Sequence, residues 1–296
     1  MTPGAPATGA PAECVINISE GRDPAIVGAV ADAGAELLLD VHSDPEHHRS
    51  VLTLAGPLDQ VVDAARSVAT AAVASIDLTA HNGVHPRLGA VDVVPFVPLT
   101  GTEGATAEWE AVIRARDGFA DWMGSELNVP CFLYGPGRSL PAVRRGAFTE
   151  FAPDTGPDRP HPTAGATAVG ARGVLIAYNV WITAVSPDDL DAAGVIAVAR
   201  DLAARMRKPG LRTLGLEVAG GAQVSCNVVD PDRVTLTEVY DAVAADAAGH
   251  GCKVLRGELV GLLPDSALSA VPERRRAELG LRVEDTIGHR LGTRRS

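Results

Sequence analysis

What most constrains this chain is an order of apolar segments that occurs twice. In the first half, Glu13 to Ile18 alternates and is rich in Val and Ile, so it reads as a strand. It ends at Ser19-Glu20-Gly21-Arg22-Asp23, before a helix that opens at Pro24, whose fixed φ suits a first helical turn. Leu37 to Val41 and Arg49 to Ala55 read as strands on either side of the loop HSDPEHH. A helix from Pro57 to Ala74 then sets Val61, Val62, Ala65, Val68 and Ala72 on one face, and Asp92 to Pro98 is a last strand. In the second half the same order returns: strand Gly173 to Ala184, helix Pro187 to Arg207, strands Leu211 to Val218 and Gln223 to Val228, helix Leu236 to Gly249, strand Lys253 to Leu262. Each half is the split β-α-β-β-α-β unit, which builds a four-stranded antiparallel sheet with two helices on one side. Asn17 and Asn179 fall late in the first strand of each half, which favours an internal duplication.

The remaining segments are placed around these two units. Thr102 to Leu127 is predicted as one long helix, with Trp109, Val112, Ile113, Phe119 and Trp122 as its buried stripe and with Gly118 and Gly124 as places to bend. Pro130 to Tyr134 reads as a strand and Leu140 to Gly146 as a short basic helix. Phe151 to Gly173 is rich in Pro and Gly, a composition set against a helix or a central strand and suited to a binding loop or linker. The expected division is residues 1–12 as a disordered tail, 13–172 as the first subdomain and 173–296 as the second. The arginine-rich end from Arg274-Arg275-Arg276 onward reads as a charged helix and a frayed, solvated terminus.

Charge and cysteine usage narrow the class of function. A chain of 296 residues with 46% hydrophobic content can bury a large core, and its net charge of -11 argues against nucleic acid. No apolar run reaches the length of a spanning helix, and the opening MTPGAPATGAPA lacks a basic segment and an apolar segment, so a cytoplasmic protein is expected. Cys14, Cys131, Cys226 and Cys252 have no C-x-x-C spacing and read as buried thiols. An anionic small molecule remains a possible substrate where positive charge is gathered locally, and Arg22, Arg49, Arg87, Arg138, Arg144, Arg145 and Arg172 all fall at loops or element ends.

Chemistry concentrates in SIDLTAHNGVHPRLGAVDVVPFVPL, Ser75 to Leu99. His81 and His85 have the spacing of two ligands on a helix turn, but Asn82-Gly83 between them and Pro86 after them rule out a continuous helix. What remains is a turn that presents His85 and Arg87 at the mouth of a strand, an imidazole that carries protons near neutral pH beside a guanidinium that holds carboxylates. Arg87 has two readings, a bidentate clamp for a substrate carboxylate or a partner for Asp92. Asp92 opens the strand, where it is placed to orient an imidazole through its other ring N–H. Backbone amides at the helix start after Glu20 are a further anion seat.

HNGVHPRLGAVDVVPFVPL resembles the H-x-G-x-H-P-R-x-G-A-x-D-V-x-P-F-x-P signature of the formiminotransferase domain family, folate-dependent glutamate formimidoyltransferases. The resemblance extends to Glu13-Cys14-Val15, Asn17, Ser19-Glu20-Gly21, Asp40, Arg49, Gly156-Pro157, Val169-Gly170-Ala171-Arg172 and Gln223-Val224-Ser225 with Asn227. It implies a mixed α/β (α+β) fold of two ferredoxin-like βαββαβ subdomains with a substrate cleft between them, usually as a homodimer. It also implies a role in one-carbon metabolism and histidine degradation, with tetrahydrofolate as co-substrate and no metal. His85 takes the place of the catalytic acid/base. Asn17, Glu20, Gly21, Arg22, His48, Arg49, Arg87 and Asp92 are the implied substrate contacts. Gly156, Pro157, Asp158, Arg159, Pro160, His161, Pro162, Thr163, Ala164 and Gly165 match the segment that contacts folate. Within it Ala164 replaces a Trp and Arg159 a Ser, while His48 stands where Asn is common and His42 where the animal enzymes carry Asp. No cyclodeaminase segment follows Leu268, so the single-function form is expected.

Three other readings compete. One is transfer of formyl, or of formimino to another amino acid. Another is a folate-binding protein without turnover. The third is a metal hydrolase built on His42, Asp44, Glu46, His47 and His48, residue types that ligate zinc.

Overall fold

The computed structural model describes residues 9–82, 87–100, 106–186, 188, 190–218 and 220–293, and its contacts divide the chain into two units, Met1–Gly173 and Val174–Ser296. Both are mixed α/β.

The first unit opens with β1 (Pro11–Ile18), α1 (Pro24–Asp32), β2 (Leu38–Asp44), β3 (Arg49–Pro57), α2 (Leu58–Ser75) and β4 (Val91–Pro98). These pair antiparallel in the order β2-β3-β1-β4, as the split unit requires. The sheet does not stop at four strands. After α3 (Ala107–Glu126) come β5 (Cys131–Tyr134), α4 (Leu140–Gly146) and β6 (Thr167–Ala171), and β6 inserts parallel between β4 and β5 to make six. β6 corrects the reading of the Pro/Gly-rich stretch as wholly loop. Its small residues TAVGA let it lie buried in mid-sheet, and Gly170 is needed because a Cβ there would stand 2.1 Å from the ring of Tyr134.

Apolar residues at alternate positions of β1, Ala12, Cys14, Ile16 and Ile18, pack with α1, α2 and α3 into one core. α4 lies on the opposite face, where Val143 meets Val93, Phe132 and Tyr134 in a smaller core. Each fully buried Ile, Leu or Phe in these layers contributes about 1.5–3 kcal/mol. α3 begins later than its sequence pattern, capped by Thr106 Oγ1, and runs unbroken through both glycines. Gly124 serves close approach, since a Cβ there would be 2.6 Å from the backbone N of Gly156. β1 also starts inside the stretch read as a tail: Pro11 and Ala12 pair with Pro57 and Gly56, and Ala12 is buried.

The second unit holds β7 (Ile176–Ala184), α5 (Ala192–Met206), β8 (Leu211–Val218), β9 (Gly221–Val228), α6 (Leu236–Gly249) and β10 (Cys252–Val260), in the sheet order β10-β7-β9-β8. This repeats the first four-strand order. Asn179 sits in mid-strand, whereas Asn17 lies near the end of β1, so the two are offset along otherwise equivalent strands. α5 is shorter than its pattern because Asp191 Oδ1 caps it.

As far as Thr293, the last described residue, the arginine-rich end is folded and not frayed. It folds back as α7 (Asp265–Ser269), α8 (Glu273–Arg276) and α9 (Ile287–Thr293), burying Leu268, Val271, Leu279, Leu281 and Ile287. Tyr178 donates its hydroxyl to Leu279 O at 2.7 Å, and Arg275 bonds Asp241 of α6 at 2.7 Å. Apolar residues between the charges drive this docking, and Arg275 and Arg276 are half-buried, with Arg276 Nε donating to Val271 O at 3.4 Å.

Candidate functional site

The loop after β1, the turn between β2 and β3 and the segment before β4 converge at one end of the first sheet. Ser19 joins two of them: its N–H donates to Ala90 O and its Oγ to Gly89 O, each at 2.8 Å. Ser50 Oγ donates to Glu20 O at 2.6 Å, which brings in β3. Gly21 permits the approach, because a Cβ there would be 2.5 Å from Asp44 O and 2.6 Å from Arg49 N.

Glu20 is committed to the backbone. Its Oε1 accepts the N–H groups of Gly21, Arg22 and Asp23, and Asp23 Oδ1 caps Ala25 and Ile26. The anion seat expected at the start of α1 is therefore filled by the chain's own carboxylates. Arg22 donates its Nε to Pro45 O at 2.8 Å, and Asn17 donates to Val15 O at 3.0 Å within its own strand.

His48 occupies the turn with φ of 50°, and its Nδ1 lies 3.3 Å from both Gly21 N and Glu20 Oε1. Burial lowers its pKa, against the pull of Glu20 and with the help of Arg22 and Arg87, so the ring is neutral at pH 7. It stacks on His81 with centroids 4.0 Å apart. Arg87 Nη1 lies 3.0 Å from His81 Nε2, which is also 3.1 Å from His48 O. One nitrogen cannot accept from Arg87 and donate to a carbonyl together. The tautomer of His81 therefore selects between these two contacts, and its Nδ1 is buried with no partner among the described residues.

Asp92 is 2% exposed and accepts Leu88 N–H at 2.6 Å and Arg144 Nη2 at 2.6 Å. The imidazole it was expected to orient, His85, lies outside the described residues; among those described, the buried carboxylate neutralises Arg144 and anchors the segment that carries Arg87. Burial lowers the pKa of Arg49 to about 10, with Asp92 and Asp44 opposing and Arg144 assisting. Burial lowers that of Arg87 as well, against Asp92. Arg22, Arg49, Arg87 and Arg144 thus form a cationic group around a few internal carboxylates, suited to a carboxylate-bearing ligand. His85, with Gly83, Val84 and Pro86, lies outside the described residues; Asn82 and Arg87 flank it.

The segment 156–165 divides in two. Asp158 and Arg159 are exposed and, among the described residues, pair with each other at 3.7 Å. Thr163 to Gly165 docks on the site: Leu78 N–H donates to Thr163 O at 2.8 Å, Ala90 N–H to Ala164 O at 2.9 Å, and Gly89 bridges Gly165. His161 Nδ1 accepts the N–H groups of Thr163 and Ala164, and Ala164 itself is buried in the core. Gly156 and Gly165, at φ of 81° and 68°, turn the chain at each end, with Pro157, Pro160 and Pro162 between them. The second histidine group is internal as well, His47 bonding Asp44 through Nδ1. Burial raises the Asp44 carboxyl, but hydrogen bonds from the His47 ring and backbone outweigh it and hold its pKa at about 2. Among the described residues no three of His, Cys, Asp and Glu gather as a metal shell.

Sequence reasoning missed His81 as a member of this group, although it stands in the signature stretch. Arg144 was among the arginines expected to gather positive charge, but its pairing with Asp92 had no local signal, because the two are fifty-two residues apart.

Family models for the formiminotransferase domain match the chain twice: the N-terminal subdomain over residues 11–172, and the formiminotransferase domain over 177–274. A glutamate formimidoyltransferase of Streptococcus pyogenes serotype M1 is 36% identical over 94% of this chain and 95% of its own. One from Thermoplasma acidophilum is 36% identical over 86% and 89%. The formimidoyltransferase-cyclodeaminase of Sus scrofa is 34% identical over 86% of this chain, which spans 50% of that protein.

Proposed function

The chain belongs to the formiminotransferase domain family, and on that premise we propose that it is a glutamate formimidoyltransferase, moving a formimino carbon from N-formimino-L-glutamate to N5 of tetrahydrofolate. What supports this is the similarity to glutamate formimidoyltransferases along nearly the whole chain, together with the cationic group of Arg22, Arg49 and Arg87 bordering the segment that carries His85.

Attack by N5 on the formimino carbon forms a tetrahedral carbon between two amines. The N5 proton must leave and a proton must reach the departing glutamate nitrogen; C–N cleavage then releases glutamate. His85 relays both, since an imidazole of pKa near about 6.5 exchanges protons readily in either direction at working pH. Arg87, held by its approach to His81 and by the Asp92-anchored backbone, takes a substrate carboxylate, with Arg22 and Arg49 adding positive field. Neutral His48 keeps the site from accumulating further charge. Segment 156–165, docked beside Leu88 to Ala90, is the proposed folate contact. Positioning supplies much of the rate. We further propose a cytoplasmic homodimer, in keeping with the family.

The test is turnover: tetrahydrofolate mixed with formiminoglutamate and enzyme gives the ultraviolet change of 5-formiminotetrahydrofolate, and 5-formyltetrahydrofolate as donor gives none. His85→Ala abolishes transfer while folding and folate affinity persist. A fully active His85→Ala enzyme would remove that residue from the mechanism.

A further inference from the structure

His81 joins several stretches of the first unit through one ring and one peptide. Its N–H closes the short turn Leu78–Ala80 by donating to Leu78 O at 3.2 Å, and Leu78 N–H donates in turn to Thr163 O at 2.8 Å. Asp77 Oδ1 caps the same turn by accepting Thr79 N–H at 2.9 Å. One face of the His81 ring lies on His48, which burial keeps neutral, so the stack carries no like-charge repulsion. Backbone and ring are thus both held, and the edge that carries Nε2 is turned to Arg87.

The choice of tautomer falls on Nε2 alone. Nδ1 has no partner among the described residues, so it is unsatisfied with its proton or without it, and does not favour either neutral form. Nε2 has two neighbours, Arg87 Nη1 at 3.0 Å and His48 O at 3.1 Å, and serves one at a time. With the proton on Nε2 the ring bonds a neutral carbonyl and sets its N–H against a guanidinium that can only donate. With the proton on Nδ1, Nε2 accepts a charge-assisted bond instead, roughly twice as strong as a neutral one. The balance favours the form that accepts from Arg87.

We propose that His81 is a positioning residue: its neutral Nδ1–H form accepts from Arg87 Nη1 and so fixes the direction of the planar fork that takes a substrate carboxylate. The inference rests on the transferase reading, with Arg87 as its carboxylate clamp, and uses side chains of the first unit only. Because the guanidinium is rigid and planar, holding one nitrogen orients the whole fork. The side chain is then ordered before the ligand arrives, and less freedom is lost on binding. His48 supplies the flat surface that keeps the His81 ring from turning away.

Calorimetric titration of the full chain with N-formimino-L-glutamate tests this on two variants. His81→Phe keeps an aromatic ring on His48 but offers no acceptor, whereas His81→Gln puts an amide oxygen near the place of Nε2 without the ring. A hydrogen bond to a charged group corresponds to roughly tenfold or more in affinity, so binding is expected to weaken at least about fivefold in His81→Phe and less in His81→Gln. A merely structural ring gives the opposite order, since Phe preserves the stack and Gln loses it. In the ¹⁵N spectrum of the histidine-labelled wild type at neutral pH, the ring signals that vanish in His81→Gln are expected to show a proton on Nδ1 and none on Nε2. A smaller loss in His81→Phe, an equal or greater loss in His81→Gln, a proton on Nε2, or a wild type that does not bind the probe would overturn the proposal. A wild type that binds and ranks the variants as expected yet performs no transfer would sink the transferase reading and leave the positioning role standing. Transfer without that ranking would sink the positioning role alone.

Discussion

His48 and His81, thirty-three residues apart in the chain, stack with their ring centroids 4.0 Å apart and their planes inclined by 26°. The contact needs an uncharged His48, and burial provides it by lowering that residue's pKa below the usual 6.5. In the window between the lowered value and 6.5 the unfolded chain holds the extra proton, so this residue's contribution to stability falls as pH drops below about 6.5. Melting temperatures of wild type and His48→Asn across pH 5 to 8 are expected to converge on the acid side and separate on the neutral side. Parallel curves would remove the stack as the source of that dependence.

Asp92 carries the burden of the surrounding arginines. Asp92→Ala leaves Arg144 and Arg49 with one carboxylate fewer in a buried setting and is expected to cost about 3–5 kcal/mol in urea unfolding. Asp92→Asn keeps an acceptor for Leu88 N–H and costs less, about 1.5–3 kcal/mol. Because Leu88 adjoins Arg87, kcat/KM falls in both variants, and more in the first.

Glu13 is buried on β1, on the face away from α1 to α3. Burial raises its pKa from the usual 4.5 to about 7, with Arg172 opposing. The folded protein therefore binds a proton that the unfolded chain has lost between those values, and stability drops as pH rises from about 4.5 to 7. Glu13→Gln removes this slope and is expected to stabilise the protein at pH 8 by on the order of 2 kcal/mol, read as a higher urea midpoint with an unchanged slope. A midpoint at pH 8 no higher than that of the wild type would contradict it.

Gly89 follows the signature's Arg87-Leu88 and lies where two segments touch. A Cβ there would be 2.0 Å from Ala166 O and 2.7 Å from Ala164 O. Gly89→Ala must push segment 156–165 away from the Leu88 to Ala90 backbone, at a cost of about 1–3 kcal/mol or more. KM for tetrahydrofolate rises with it if that segment holds folate.

Much of this molecule was written locally. Alternation and helical periodicity gave both βαββαβ units, because apolar residues that must face one core recur at the spacing of the element that carries them. The signature stretch likewise marked the end of the sheet where Arg87, Asp92 and the Gly165 turn meet. β6 escaped notice because a strand buried between neighbours can be built from small residues without alternation, and the docked C-terminal helices because their arginines masked the leucines between them. What no local pattern could decide was the fate of each charge. The sequence by itself determined two sheets and a loop rich in arginine and histidine. Only the tertiary structure decided that Glu20 would be consumed by backbone N–H groups, that Asp92 would face Arg144, and that His81 would lie against His48. Hydrogen bonds and desolvation depend on which groups meet in space, and those groups come from strands tens of residues apart.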